Sequence, residues 1–226
     1  MTSPIVVIDY GLANIRSVVN ALSCFNIPVE VAENGADLDK SSAIVLPGVG
    51  SFDAGIHELR ARGHADALQE LVIGEGRPFL GICLGMQFVL EGSLEGDEPG
   101  LGWFAGISEI LPKRTNDKRV LKVPHIGWNE VEIKDGGQMF KGIDGATDFY
   151  FNHSYYFPSL PDTDQKEKSE NYLEHTCQYG LKFACAVERE NISLVQFHPE
   201  KSQLAGMKLL ENFVSQAAMA DQVDAP

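Results

Sequence analysis

The chain has 226 residues, is 44% hydrophobic and 22% charged, and carries a formal net charge of -14. That length fits one sizeable domain with its own core, and the acidic balance excludes a nucleic-acid binder working through a basic face. Four cysteines (Cys24, Cys83, Cys177 and Cys185) show neither a C-x-x-C pair nor metal-ligand spacing, so no metal and no organic cofactor is expected. Met1-Thr2-Ser3-Pro4-Ile5 has no charged leader ahead of an apolar core, and no apolar run approaches a membrane span. A soluble, reduced, cytoplasmic protein is expected, in which the sequons at Asn152 and Asn191 are accidental.

In chain order, Ile5 to Asp9 is a continuous β-branched run ending in a polar residue, the pattern of a central strand buried on both faces. After a turn at 10–14, Ile15, Val18, Val19 and Leu22 recur at helical spacing and predict the first helix. Further strands are predicted at 28–31 and 43–46, and strand–helix–strand order with short connections predicts a parallel, doubly wound sheet. The third strand ends at Pro47-Gly48-Val49-Gly50, on the sheet edge where open α/β folds place ligands. It is not a phosphate loop, because no Lys-Ser/Thr follows and the G-x-G-x-x-G spacing fails at Asp53. On spacing alone it is a plain connection. Ile56, Leu59 and the stretch 65–73 predict two helical segments before a strand at 78–82.

That strand leads into Gly81-Ile82-Cys83-Leu84-Gly85-Met86-Gln87. A reactive side chain between two glycines at a strand-to-helix turn is the arrangement of a nucleophile elbow. Gly81 and Gly85 admit the tight turn and the close helix. The helix is expected to continue through 88–91, with its N-terminal N–H groups favouring a Cys83 thiolate. Taken by itself, Cys83 reads equally well as a small buried hydrophobe.

From about Leu101 short alternating runs at 102–104, 120–123, 129–134, 148–156 and 185–187 predict antiparallel strands added to one side of the core. The polar stretch 159–171 predicts an exposed loop or hairpin tip. A last helix is predicted from near Ser202, with Leu204, Met207, Leu210, Phe213 and Val214 on one face. No repeat or linker divides the chain, so one domain over 1–226 is expected, with 219–226 a frayed tail.

Leu194-Val195-Gln196-Phe197-His198-Pro199-Glu200 is the second chemically dense stretch. In an extended segment residues i and i+2 share a face, which pairs His198 with Glu200. Pro199 biases His198 toward the extended region. Glu200 would hold the imidazole tautomer while His198 takes the thiol proton of Cys83. In isolation the pair also reads as a surface histidine near a loop carboxylate.

Together, 81–87 and Phe197-His198-Pro199-Glu200-Lys201-Ser202 resemble a class I (triad) glutamine amidotransferase. Asp9-Tyr10-Gly11, Asn14, Pro47 to Phe52, Pro124-His125-Ile126-Gly127-Trp128-Asn129, His153-Ser154-Tyr155 and Leu209 to Phe213 extend the resemblance. End to end, the chain is similar to the glutaminase subunit of imidazole glycerol phosphate synthase. The resemblance implies a flavodoxin-like, mainly parallel sheet with added antiparallel strands. It also implies a triad of Cys83, His198 and Glu200 that hydrolyses glutamine through a thioester. The oxyanion would be held by the backbone N–H groups of Leu84 and Val49, and rotation of the Val49 peptide between two glycines would switch activity. By the same resemblance, Gly50, Gln87, Glu95, His153, Ser154 and Tyr155 surround glutamine. Asn14, His125, Trp128 and Lys201 face a (β/α)8-barrel cyclase in a heterodimer, which receives the ammonia privately and is the source of activation. The implied pathway is histidine biosynthesis, yielding imidazole glycerol phosphate and an aminoimidazole carboxamide ribonucleotide.

Ala13 departs from the family's usual glycine, which bears on the interface rather than the triad. Thr176-Cys177, Lys182-Phe183-Ala184 and Ala205 to Lys208 look similar to paralogues that feed a sugar amidotransferase in surface-polysaccharide synthesis, the alternative acceptor. A stand-alone cysteine hydrolase is a third reading.

Overall fold

A computed structural model describes residues 3–115, 117–159 and 172–223. The first half alternates as its periodicity predicts: β1 (Ile5–Ile8), α1 (Ile15–Leu22), β2 (Val29–Ala32), β3 (Ala43–Gly48), α2 (Phe52–Ala61), α3 (His64–Leu68) and β4 (Phe79–Cys83). A π-helical turn, Gln69–Gly74, continues α3 toward β4. Then follow a single helical turn α4 (Leu84–Gln87), β5 (Leu90–Ser93), β6 (Phe104–Ile110), β7 (His125–Glu132), β8 (Ala146–His153), β9 (Tyr155–Tyr156), β10 (Leu173–Gln178), β11 (Lys182–Arg189), β12 (Ile192–Val195) and α5 (Gln203–Val223).

Among the described residues, nine strands form one sheet in the order β2-β1-β3-β4-β12-β11-β10-β7-β8. The pairs from β2 to β12 are parallel, and those from β12 to β8 antiparallel. A smaller sheet, β5-β6-β9, lies apart. All four residues of β1 are buried, and alternate ones serve opposite faces. Ile5 and Val7 join Val45, Ile82, Leu210 and Phe213 on one side, while Val6 and Ile8 join Leu46, Ile56, Leu59 and Phe79 on the other. A continuous apolar run is what burial on both faces requires.

Several expectations are corrected. The helix after Cys83 does not run through 88–91. The carbonyls of Phe88, Val89 and Leu90 accept hydrogen bonds from the backbone of 101–104, which draws the chain into β5. Gly100 makes this possible, since a Cβ there would lie 2.0 Å from the Leu90 carbonyl oxygen. The added strands do not all extend the main sheet, because β6 and β9 belong to the smaller one. The run 120–123 forms only a bridge from Val120 to Arg114, and the strand predicted at 129–134 begins earlier, as β7 at His125. In α5, Leu204 is 87% exposed, and the buried face is Leu209, Leu210, Phe213, Val214 and Ala217. The helix continues past 219 to Val223, and the last three residues lie outside the described residues, as does nearly all of the predicted 159–171 loop.

Both elbow glycines lie against backbone. A Cβ on Gly85 would lie 2.0 Å from the Leu46 carbonyl oxygen, and one on Gly81 2.9 Å from that of Gly85. Backbone cannot retreat as a flexible side chain can. Gly85→Ala is therefore expected to lower stability by about 1–3 kcal/mol or more, read as a reduced midpoint in chemical denaturation; an unchanged midpoint would show that β3 and α4 can separate freely.

Candidate active site

Parallel pairing brings the carboxyl ends of β3, β4 and β12 side by side, with Gly48 level with Cys83 and Ile82 level with Val195. Cys83 and the segment after β12 therefore emerge on the same edge of adjacent strands. Cys83 has φ 56° and ψ -108°, a conformation that side-chain-bearing residues adopt only under constraint. It turns the thiol off the strand direction, and the side chain remains 6% exposed.

His198 and Glu200 follow β12. His198 is extended, as its position before Pro199 demands, but Glu200 lies in a 3-10 turn, Pro199–Lys201. The pairing expected from strand alternation is thus made by a turn: Nδ1 of His198 lies 2.9 Å from Oε1 of Glu200, with both side chains nearly inaccessible. Among the described residues, Nε2 of His198 and Oε2 of Glu200 are buried without a hydrogen-bond partner. Burial opposes a charge on His198, yet the adjacent Cys83 and then Glu200 raise its pKa to about 10. The neighbouring sulfur and the Glu200 carboxylate together favour the protonated ring against its burial.

Behind the thiol lies a buried polar layer that the sequence reading did not assemble. Gln87 is 3% exposed, not solvent-facing. Its Nε2 donates to the Tyr155 carbonyl at 2.9 Å and to Oε1 of Gln196 at 3.0 Å. Both amide protons are thereby used inside the protein, which leaves Oε1 alone for a substrate. Nδ1 of His153 lies 2.8 Å from the same carbonyl, and its Nε2 lies 3.1 Å from Nδ1 of His125. A carbonyl only accepts, so His153 carries its proton on Nδ1 and His125 donates to it. His125 is itself buried, stacked between Phe151 and Tyr179 at 4.8 and 3.8 Å, so its ring is not a surface group.

Glu95 and Asp53 form a second cluster at the start of α2, just after Gly50 in the chain. Oε2 of Glu95 accepts the Phe52 N–H at 2.8 Å, in the first turn of α2. The Asp53 carboxylate accepts the N–H groups of Asp97 and Glu98 at 3.1 Å each, lacing the loop after Glu95 to that turn. Gly50 has φ +98° with open space around its absent Cβ. Leu84 opens α4, where the first N–H groups have no intrahelical acceptor. The Val49 N–H acts on the buried Tyr10 hydroxyl, which lacks a hydrogen bond of ordinary geometry. Ser154 and Tyr155 are half-buried. An open cavity of about 550 Å³, lined by Tyr10, Leu12, His57, Glu58 and Arg62, holds none of Cys83, His198 and Glu200.

The remaining residues lie on an outer surface. Trp128 is level with Tyr150 and packs edge-on against it at 6.1 Å, and Nζ of Lys201 lies 5.9 Å from the Tyr150 ring. Ile126, on the same face of β7 as Trp128, is 60% exposed. Asn14 is exposed ahead of α1 and makes no side-chain cap. Sequence reasoning missed Gln196, fully buried with Nε2 3.7 Å from the Cys83 sulfur, and the Asn152 carbonyl 3.8 Å from it. The only sequence signal for Gln196 is a polar residue within an apolar strand end.

The family model for class-I glutamine amidotransferases matches residues 6–217. Imidazole glycerol phosphate synthase subunit HisH 2 of Pseudomonas aeruginosa is 42% identical over 93% of this chain and 98% of that protein. Subunit HisH of Moorella thermoacetica is 41% identical over 93% of each, and HisH 1 of Campylobacter jejuni 42% identical over 93% and 98%. A crystal structure described as a glutamine amidotransferase covers 94% of this chain and 98% of its own with a TM-score of 0.69. At 17% identity it shares the fold.

Burial holds His125 to a pKa of about 4 and His153 to about 3, against an ordinary 6.5. Both are neutral when folded but take up protons near 6.5 when unfolded, so the unfolded chain binds more protons below that pH. Their contribution to stability is complete above 6.5 and is lost as pH falls toward 4. His198, with its pKa raised to about 10, is protonated in both states over that window and adds no slope. Calorimetric Tm is expected to fall through this range, and less steeply in a His125→Asn/His153→Gln variant; equal slopes would exclude the two histidines as the cause.

Proposed function

Because the chain belongs to the class-I glutamine amidotransferases, with HisH subunits of imidazole glycerol phosphate synthase as its relatives, we propose that it is the glutaminase subunit of such a synthase. In this reading Cys83, His198 and Glu200 release ammonia from glutamine for a (β/α)8-barrel cyclase in histidine biosynthesis. The observation that carries it is the buried Cys83–His198–Glu200 constellation on the adjoining ends of β4 and β12.

The Cys83 thiolate attacks the side-chain amide carbon of glutamine, forming a C–S bond and an oxyanion. The imidazolium of His198 gives its Nε2 proton to the amide nitrogen, the C–N bond breaks, and ammonia leaves a glutamyl thioester. Water then loses a proton to His198 and attacks the thioester, and glutamate leaves as the C–S bond breaks. Glu200 holds the imidazole by Nδ1 throughout. The Leu84 N–H is available to the oxyanion, whereas the Val49 N–H acts on Tyr10. Rotation of the Val49 peptide, between Gly48 and Gly50, would add the second donor and switch the enzyme on. Glu95, anchored beside Gly50, supplies negative charge for the substrate ammonium, with His153, Ser154 and Tyr155 on the other side.

The patch of Ile126, Trp128, Tyr150 and Lys201, with Asn14, is proposed as the face of the cyclase in a heterodimer. It supports this reading that the Tyr150 carbonyl accepts the His198 N–H at 2.8 Å, so the docking face and the base share one strand residue. Ammonia passed across this face avoids protonation in water.

Glutamate release should be measured for the chain alone, with the organism's own barrel cyclase plus its nucleotide, and with Cys83→Ala. Low basal turnover that rises with the cyclase and disappears in the variant is expected. Stimulation by a sugar amidotransferase instead would leave the triad intact and overturn the histidine assignment, and turnover independent of any partner would favour a stand-alone hydrolase. Gly50→Val, strained at φ +98° although unobstructed, is expected to abolish the stimulated component while glutamine still binds, as read by calorimetric titration; retained stimulation would refute the peptide switch.

A further inference from the structure

The Cys83 sulfur has two polar neighbours outside the triad: the Asn152 carbonyl at 3.8 Å and Nε2 of Gln196 at 3.7 Å. Gln196 is fully buried, two residues before His198. Which end of its carboxamide faces the sulfur is fixed by polarity. The Tyr155 carbonyl can only accept, so Gln87 must turn its nitrogen toward it at 2.9 Å. The second proton on that nitrogen points at Gln196, which must accept through Oε1 at 3.0 Å. The NH2 group of Gln196 is left for the sulfur. His153 donates to the same Tyr155 carbonyl at 2.8 Å, so the anchor of the chain is held from both sides.

We infer that Gln196 is a catalytic residue, the hydrogen-bond donor that holds the Cys83 sulfur as thiolate, and that Gln87 is the positioning residue that turns a donor instead of an acceptor toward it. This deepens the glutaminase reading and rests on it. In the thiol form the S–H donates to the Asn152 carbonyl. When the proton passes to His198, that contact becomes repulsive while the Gln196 N–H gains a charged acceptor. A bond to an ionised partner is about twice as strong as a neutral one. In the thioester the sulfur is a weak acceptor again, so the same N–H favours departure of the sulfur when water attacks. One-turn α4 provides little dipole, which leaves this role to a side chain. The titratable groups acting with Cys83 are His198, after β12, and Tyr10, after β1, with Glu200 acting through His198. Gln196 and Asn152 do not titrate.

The test is the pH dependence of Cys83 alkylation by iodoacetamide in the full chain, with the site read by peptide mass spectrometry and folding by thermal melting. Gln196→Met keeps the volume and removes the donor, and should raise the apparent pKa of alkylation by about one unit. Gln196→Glu places an acceptor against the sulfur and should raise it further. Gln87→Met frees Gln196 to turn and should raise it less. A folded Gln196→Met protein with the wild-type profile would overturn the proposal; should that variant not fold, Gln196→Glu decides in the same way. A wild-type profile in Gln87→Met would overturn the positioning role. Alkylation needs no glutamine, so these shifts in a protein that releases no glutamate would defeat the glutaminase reading and leave the donor standing.

Discussion

Cys83 occupies a backbone conformation, φ 56°, that costs a residue with a side chain roughly 1–3 kcal/mol, and the rest of the site follows from how that conformation is enforced. β4 is paired on both sides, by β3 and by β12, as far as Ile82, and Cys83 stays level with Gly48 of β3. α4 then has to begin against β3. Gly85 lies on the Leu46 carbonyl, and the space where Gly48 would carry a Cβ is filled by Leu84, the Gly85 nitrogen and the Tyr10 hydroxyl. Three elements meet with no room for a methyl group, and the strained turn is the only path left to the chain. The strain is thus supported by packing, and it aims the thiol toward the end of β12, where His198 follows.

Much of this was legible in the residues. Glycines on either side of a cysteine, after an apolar run, specify the elbow because only glycine tolerates such approach. His-Pro-Glu specifies an extended histidine ahead of its carboxylate because proline restricts the residue before it. What one stretch could not reveal was competition from elsewhere in the chain. The expected helix at 88–91 is lost because the backbone of 101–104 takes its carbonyls, a contact that no local propensity encodes. Leu204, read as part of the stripe of α5, faces away from Gly206, Leu209, Leu210, Phe213 and Ala217 at about 3.6 residues per turn and is left on the outside. Gln196 stayed unassigned because a buried glutamine has no pattern of its own; its meaning depends on Gln87, 109 residues earlier, and on Tyr155 in the smaller sheet.

The polar layer also accounts for why two histidines lie deep in the protein. Neutral imidazole can pass on hydrogen-bond polarity, one nitrogen accepting and the other donating. Nδ2 of Asn129 lies 3.3 Å from Nε2 of His125, and His125 in turn donates to His153. Polarity therefore runs from Asn129, half-buried on β7, to the Tyr155 carbonyl, which also receives Gln87. Protonating either ring would give it two donors where one acceptor is needed, and burial keeps both neutral at ordinary pH.

Tyr150 connects the proposed docking face to the chemistry more directly. Its ring lies between Trp128 and Lys201, its N–H donates to Oγ of Ser202 at 3.0 Å, and its carbonyl accepts the His198 N–H. Oγ of Ser202 in turn donates to the His198 carbonyl at 2.6 Å. His198 is thus fastened through its backbone to an edge strand, β8, whereas Cys83 is fastened to the centre of the sheet. A protein pressing on Trp128 and Tyr150 would move the base and its carboxylate together, since Glu200 shares the same short turn, and would leave the sulfur in place. Under the proposed function, that asymmetry lets the triad keep its internal hydrogen bond while the distance across which the proton must travel is set from outside.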